Sequence, residues 1–123
     1  MIVGIGVDVV DLARFEQSIR RTPGLLPRLF SDSERTPRGR TLGVASLAGR
    51  FAAKEALIKA IGDPAGLRWH DMQVVSDELG NPSFELTGSV AEVIEARGVA
   101  TVHLSMTHDG GVATAFVIAE GRD

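Results

Sequence analysis

The sequence predicts an α+β fold with mostly antiparallel strands, on three observations. It opens on a β-branched, glycine-spaced run, "IVGIGVDVV". Its middle, "LAGRFAAKEALIKAIG", carries apolar residues at helical spacing. It closes on two strand-like runs, "ATVHLSMTH" and "VATAFVIAE", joined by Asp109-Gly110-Gly111, a strong hairpin turn.

The elements follow in order. Residues 2–10 read as a strand, with Val3, Ile5, Val7 and Val9 on one face and Gly4, Gly6 and Asp8 on the other. Asp11 is placed to cap a helix through "LARFEQSIRR", which Thr22-Pro23-Gly24 ends. "LLPRLFSDSE" is a short helix or turn, and residues 35–44, with Pro37, Gly39, Gly43 and three arginines, form the best candidate for a mobile loop. A long helix over residues 46–61 stops at Gly62-Asp63-Pro64. Strands near 72–77 and 83–87 flank a Gly80-Asn81-Pro82 turn, and "SVAEVIEARG" is an amphipathic helix capped by Ser89 and stopped by Gly98. The sum is five strands and three helices.

A chain of 123 residues predicts a single domain spanning residues 1–123, and 44% hydrophobic residues suffice for a core. The net charge of −3 argues against a general nucleic-acid binder. Arginines nonetheless concentrate in the first half, which suits an acidic partner or a phosphorylated ligand. The absence of cysteine excludes disulfides and thiolate metal sites. No apolar run approaches the ~20 residues of a membrane span, and the N-terminus lacks a signal-peptide pattern, so a cytoplasmic location is expected.

Several residues stand out chemically. Asp8 lies in an apolar strand beside glycines that leave room for a ligand to approach the backbone; alternatively the strand ends near Val7 and Asp8 sits in a solvated turn. Glu55 and Lys59 stand four apart, as in an ordinary exposed ion pair. Lys54, however, falls within the apolar stripe of Leu47, Phe51, Ile58 and Ile61, where it requires an acceptor. In "TVHLSMTH", Thr101, His103, Ser105 and Thr107 share a polar face that suits phosphate oxygens or plain solvent, with His108 at the strand end. No GxGxxG or GxxxxGK[ST] pattern is present. Hard carboxylates with nearby lysines suit Mg²⁺, which is typically held by one or two carboxylates plus substrate phosphates; Asp8 and Glu55 are the pair to supply them.

Taken together, "GIGVDVVDLARF", "GRFAAKEALIKAIG", "GNPSFEL" and "VHLSMTHDGGVATAFVIAE" resemble the bacterial holo-acyl-carrier-protein synthase family, the short type of 4′-phosphopantetheinyl transferase. The paired signature is G-x-D at Gly6-Val7-Asp8 and F-x-x-K-E-x-x-x-K from Phe51 to Lys59. The resemblance implies a mostly antiparallel sheet packed on a long central helix. It implies Mg²⁺-dependent transfer of the phosphopantetheine arm of coenzyme A to a serine of apo-acyl carrier protein, releasing adenosine 3′,5′-bisphosphate, in fatty-acid or polyketide biosynthesis. It also implies a homotrimer with sites between subunits. By motif, Asp8 and Glu55 become metal ligands and Lys59 a pyrophosphate contact. Arg50, Ser105, Thr107 and His108 become holders of the 3′-phosphate, with His108 also counted among the catalytic residues. Gly62, Asn81 and Pro82 line the adenine pocket, and Arg14, Arg20 and Arg21 face the carrier protein. The acceptor of the serine proton stays open among Glu55, Asp8 and metal-bound water. Two features depart from the family pattern: a short, glycine-rich segment at 35–44, and Asp109 directly after His108. A coenzyme A-binding module without catalysis and a small interaction protein with surface ion pairs are the competing classes.

Overall fold

The computed structural model describes residues 1–122. Strand β1 (Ile2–Asp11) leads into helix α1 (Leu12–Arg21), two short helices α2 (Leu25–Leu29) and α3 (Asp32–Arg35), and the long helix α4 (Val44–Ala60). Strands β2 (Met72–Ser76) and β3 (Pro82–Leu86), helix α5 (Gly88–Ala96), and strands β4 (Val99–Asp109) and β5 (Val112–Gly121) follow. β1, β5 and β4 form one antiparallel sheet in that order, while β2 and β3 pair as a separate ribbon. The predicted α+β class and antiparallel pairing are therefore observed, with two short helices beyond the three expected.

The small side chains of α4 explain how it lies against the sheet. Ala52, Ala53 and Ala56 are completely buried in the same core as Ala113, Ala115 and Ala119 of β5, also without exposure. On β1 the approach is closer still. A methyl group on Gly6 would stand 1.8 Å from the Ala56 carbonyl oxygen, and one on Gly4 would stand 1.8 Å from that of Ala60. The room beside these glycines is thus filled by the helix backbone. A ligand does not occupy it, contrary to the expectation from the sequence.

This orientation turns Val3, Ile5, Val7 and Val9 outward, 40–61% exposed, beside Phe116 at 51%. Alternation correctly groups these valines on one face, but that face is not the core.

Asp11 caps α1 as expected, accepting from the Arg14 amide at 2.9 Å. Ser89 does not cap α5. The Asp71 carboxylate captures its amide at 2.8 Å and its hydroxyl at 2.7 Å, and the helix starts one residue earlier, after Thr87. Residues 35–44 contain a 3₁₀ turn at Pro37–Gly39 and are pinned by the Leu42 amide donating to the Arg35 carbonyl at 2.9 Å. No helix among the described residues is long and apolar enough to cross a membrane.

Candidate active site

The close packing of β1 on α4 brings Asp8 beside Glu55 and Lys59. The Lys59 Nζ donates to the Val7 carbonyl at 3.0 Å and to Asp8 Oδ1 at 3.1 Å. Lys59 is thereby recruited across to the strand, a longer-range role than the helical ion pair its spacing also allowed. Asp8 and Glu55 both line a cavity of about 550 Å³. Burial raises the Glu55 pKa above its usual value, the Asp8 carboxylate pushes it further, Lys59 opposes the shift, and Asp63 adds to it. Two carboxylates that repel one another at the edge of a cleft have the chemistry to share a cation.

Among the described residues, no three of His, Cys, Asp and Glu gather as a complete protein cage for a metal. Two carboxylates facing open space fit Mg²⁺ nonetheless, because that ion completes its shell with water and substrate phosphate oxygens.

The rest of this cleft combines aliphatic side chains, three aromatic rings and two arginines with Ser18 and Asp11. Phe15, Phe51 and Trp69 form one wall, with ring centroids 5.6 Å and 5.8 Å apart along the series. Arg14 from α1 and Arg28 from α2 line it as well. Arg28 escaped the sequence reading because α2 is too short to show a periodicity that would place its side chains. Of the other arginines proposed for the partner, Arg20 pairs with Glu16 at 3.2 Å along the exposed side of α1, and Arg21 is an exposed residue at the helix end.

Arg50 occupies a second cavity, about 350 Å³, together with Arg38 and Arg40. Its guanidinium is buried, donating to the Ser46 carbonyl at 3.4 Å and to the Ser76 hydroxyl at 3.2 Å, while its Nε has no partner in the structure. Burial lowers the Arg50 pKa, and Glu34 partly counters it. Three arginines around one cavity have the charge to attract an anion.

The remaining predicted residues lie elsewhere. Gly62 adopts a left-handed conformation, φ 86°, in the turn that ends α4. Asn81 sits in the β2–β3 turn, where its amide and side chain both bond Asp77, and Pro82 begins β3. Ser105 and Thr107 are exposed on the sheet face turned away from α4, whereas the intervening Met106 packs toward Gly49 of that helix. One chain therefore does not bring Ser105 and Thr107 onto the Arg50 side of the sheet. His108 follows the parity of Met106 at the exposed end of β4. It pairs with Ala113, which pairs with Val10, so it stands two strand spacings, about 10 Å, from β1.

Lys54 is completely buried, as its place in the apolar stripe required. Its Nζ donates to Glu34 Oε1 at 3.0 Å, to the Leu29 carbonyl at 2.6 Å and to the Trp69 carbonyl at 3.1 Å.

Comparison with known proteins shows the family. Residues 4–117 match the sequence profile of the 4′-phosphopantetheinyl transferase superfamily. The chain belongs to that family. Among superfamily members it is 63% identical over 121 residues to the holo-[acyl-carrier-protein] synthase of Clavibacter michiganensis, covering 98% of each chain. The holo-[acyl-carrier-protein] synthase of Leifsonia xyli is 58% identical over 120 residues, with 98% of both chains covered. Two solved members share the fold. The Chronobacterium ammoniagenes ACPS–CoA complex superposes with a TM-score of 0.83 at 30% identity, covering 98% of each chain. The Helicobacter pylori holo-[acyl-carrier-protein] synthase in complex with coenzyme A gives 0.81 at 30% identity, over 94% of this chain and 99% of that one.

Proposed function

We propose that this chain transfers the 4′-phosphopantetheine group of coenzyme A to a serine of an apo-acyl carrier protein, with Mg²⁺, and releases adenosine 3′,5′-bisphosphate. The observation that carries the proposal is the meeting of Asp8, Glu55 and Lys59, with the two carboxylates lining a cleft that also carries three aromatic rings and two arginines. The enzymatic class follows from the family. The two carboxylates support the metal, and the individual roles are those the resemblance implies.

Asp8 and Glu55 would hold the cation. When bound, Mg²⁺ neutralises charge on the diphosphate of coenzyme A and makes its phosphorus more electrophilic. Lys59 does the rest of the local charge work. An ammonium has three donors, and two are engaged by Val7 and Asp8, leaving one for a phosphate oxygen as negative charge builds on the leaving bisphosphate. The serine oxygen bonds to the phosphorus carrying pantetheine, the bond from that phosphorus to the bridging oxygen breaks, and the serine proton passes to Glu55, Asp8 or water. Orientation dominates such a reaction, since the transferred group asks little covalent chemistry of the protein.

The Arg38–Arg40–Arg50 cavity takes the 3′-phosphate. Ser105 and Thr107 serve a phosphate from the outer side of the sheet, so they join Arg50 only when contributed by a neighbouring copy, and His108 serves it from the end of β4. The exposed valines of β1 and Phe116 supply an apolar surface on which copies associate, consistent with a homotrimer. Gly62, Asn81 and Pro82 receive the adenine. Arg14 and Arg28 at the cleft, with Arg20 and Arg21 beyond it, receive an acidic carrier protein. The fatty-acid role and the cytoplasmic setting follow from the carrier substrate.

The test is direct. Incubation with coenzyme A, Mg²⁺ and apo-carrier protein should add the mass of one phosphopantetheine arm, and Glu55→Ala should slow this by about 10³-fold, roughly 4 kcal/mol of transition-state stabilisation. Thermal stabilisation by coenzyme A without carrier modification would instead leave a non-catalytic binding module. Absence of both would leave an interaction protein.

A further inference from the structure

The buried pair Lys54–Glu34 is not explained by stability. Both side chains are completely shielded from solvent. A buried ion pair typically recovers its desolvation cost only in part, and apolar replacements of similar volume are often as stable or more so. What distinguishes this pair is the number of separate segments it joins. The three Nζ protons of Lys54 go to three different places: the Leu29 carbonyl at the end of α2, the Trp69 carbonyl in the turn before β2, and Glu34 in α3. The Phe30 ring covers the ammonium, with its centroid 4.7 Å away. Glu34 extends the tie, accepting from the Ser31 amide at 3.0 Å and, through its other oxygen, from the Val74 amide of β2 at 3.1 Å.

Leu29 and Trp69 both line the cleft that holds Asp8 and Glu55. Neither belongs to β1 or α4, and neither is linked in sequence to the carboxylates. The Phe51 ring of α4 packs on Trp69, and His70 Nε2 meets the Pro27 carbonyl oxygen at 2.7 Å, but Lys54, the residue immediately before Glu55, hydrogen-bonds the main chain of both segments from α4.

We infer that Lys54, oriented by Glu34, is a positioning residue that fixes the Leu29 and Trp69 walls relative to Glu55 and so shapes the cleft for the carrier protein. The carrier half of this inference rests on the proposed function; the wall-anchoring half does not. The pair acts through its neighbours and touches no substrate.

Trp69 is the single tryptophan of the chain, so its emission reports the wall without reference to activity. The double variant Lys54→Met/Glu34→Gln removes both charges together and avoids stranding one. In this variant the Trp69 emission should shift to the red and become more accessible to acrylamide. KM for apo-carrier protein should rise about tenfold, with kcat and KM for coenzyme A within a few-fold of wild type. A folded variant with wild-type emission and wild-type carrier KM overturns the inference, as does a loss in kcat alone.

Arg14→Glu in the otherwise native protein separates the two readings. If it leaves the carrier KM unchanged, the carrier-side assignment of the cleft fails, while the Trp69 emission still decides whether Lys54 anchors the wall. Should the double variant not fold, hydrogen exchange on the wild-type protein decides. Amides of residues 29–34 and 69–74 should open as one unit, and independent exchange of the two segments refutes a common anchor.

Discussion

Replacing Gly6 by alanine probes the contact that positions Asp8. The added methyl would lie 1.8 Å from the Ala56 carbonyl oxygen, 2.8 Å from its carbon and 2.9 Å from the Ala60 amide nitrogen. All three atoms are backbone of α4, so no side-chain rotation relieves the clash. Contacts of this kind essentially never fall below 3.0 Å, so strand and helix must separate by more than 1 Å at this point. Overpacking that forces backbone shifts typically costs about 1–3 kcal/mol, and a clash with a helix main chain belongs at the upper end. For a chain of this length that corresponds to a fall in Tm of roughly 10 °C. Asp8 lies two residues along the same strand, and displacement of a catalytic group by about 1 Å can cost ~10² in rate. Thermal unfolding and steady-state transfer to apo-carrier protein read the two effects. Gly24→Ala is the control, because nothing lies within 4 Å of its added methyl and its φ of −80° suits alanine. If Gly6→Ala matched Gly24→Ala in Tm and turnover, the account of strand–helix contact would be refuted.

Two further outcomes follow from the same geometry. Arg50→Ala should raise KM for coenzyme A at least tenfold while leaving dephospho-coenzyme A, which lacks the 3′-phosphate, almost unaffected; equal losses for both would remove the phosphate from that cavity. Transfer to the carrier protein should weaken as ionic strength rises, and Arg14→Glu/Arg28→Glu should both raise its KM and flatten that salt dependence; a carrier KM indifferent to salt would discount the arginines.

Much of this arrangement is legible in the sequence, and the remainder fails for identifiable reasons. The run from Ile2 to Asp11 alternates cleanly, and its helical counterpart around Lys54 is unmistakable in period. Their meeting places Asp8, Glu55 and Lys59 together much as the motifs imply. Alternation states which residues share a face but not which face turns inward. Here glycine wins the inner face because only an absent side chain lets the backbones approach, and the valines turn outward. Ser89 has the chemistry of a cap, yet Asp71, distant in sequence, competes for it. Ser31 and Glu34 show the spacing of a capping box, which the structure forms. Nothing in that spacing reveals that Glu34 also neutralises Lys54. Arg28 and Trp69 enter the cleft through short segments whose direction depends on that buried tie.

The most direct test is a crystal of the protein grown with coenzyme A and Mn²⁺ as an anomalous stand-in for Mg²⁺. The account predicts one peak, about 2.0–2.3 Å from a carboxylate oxygen of Asp8 and from one of Glu55, with the diphosphate of the donor completing the shell. A peak ligated without either side chain, or two carboxylates too far apart to reach the same ion, would contradict it.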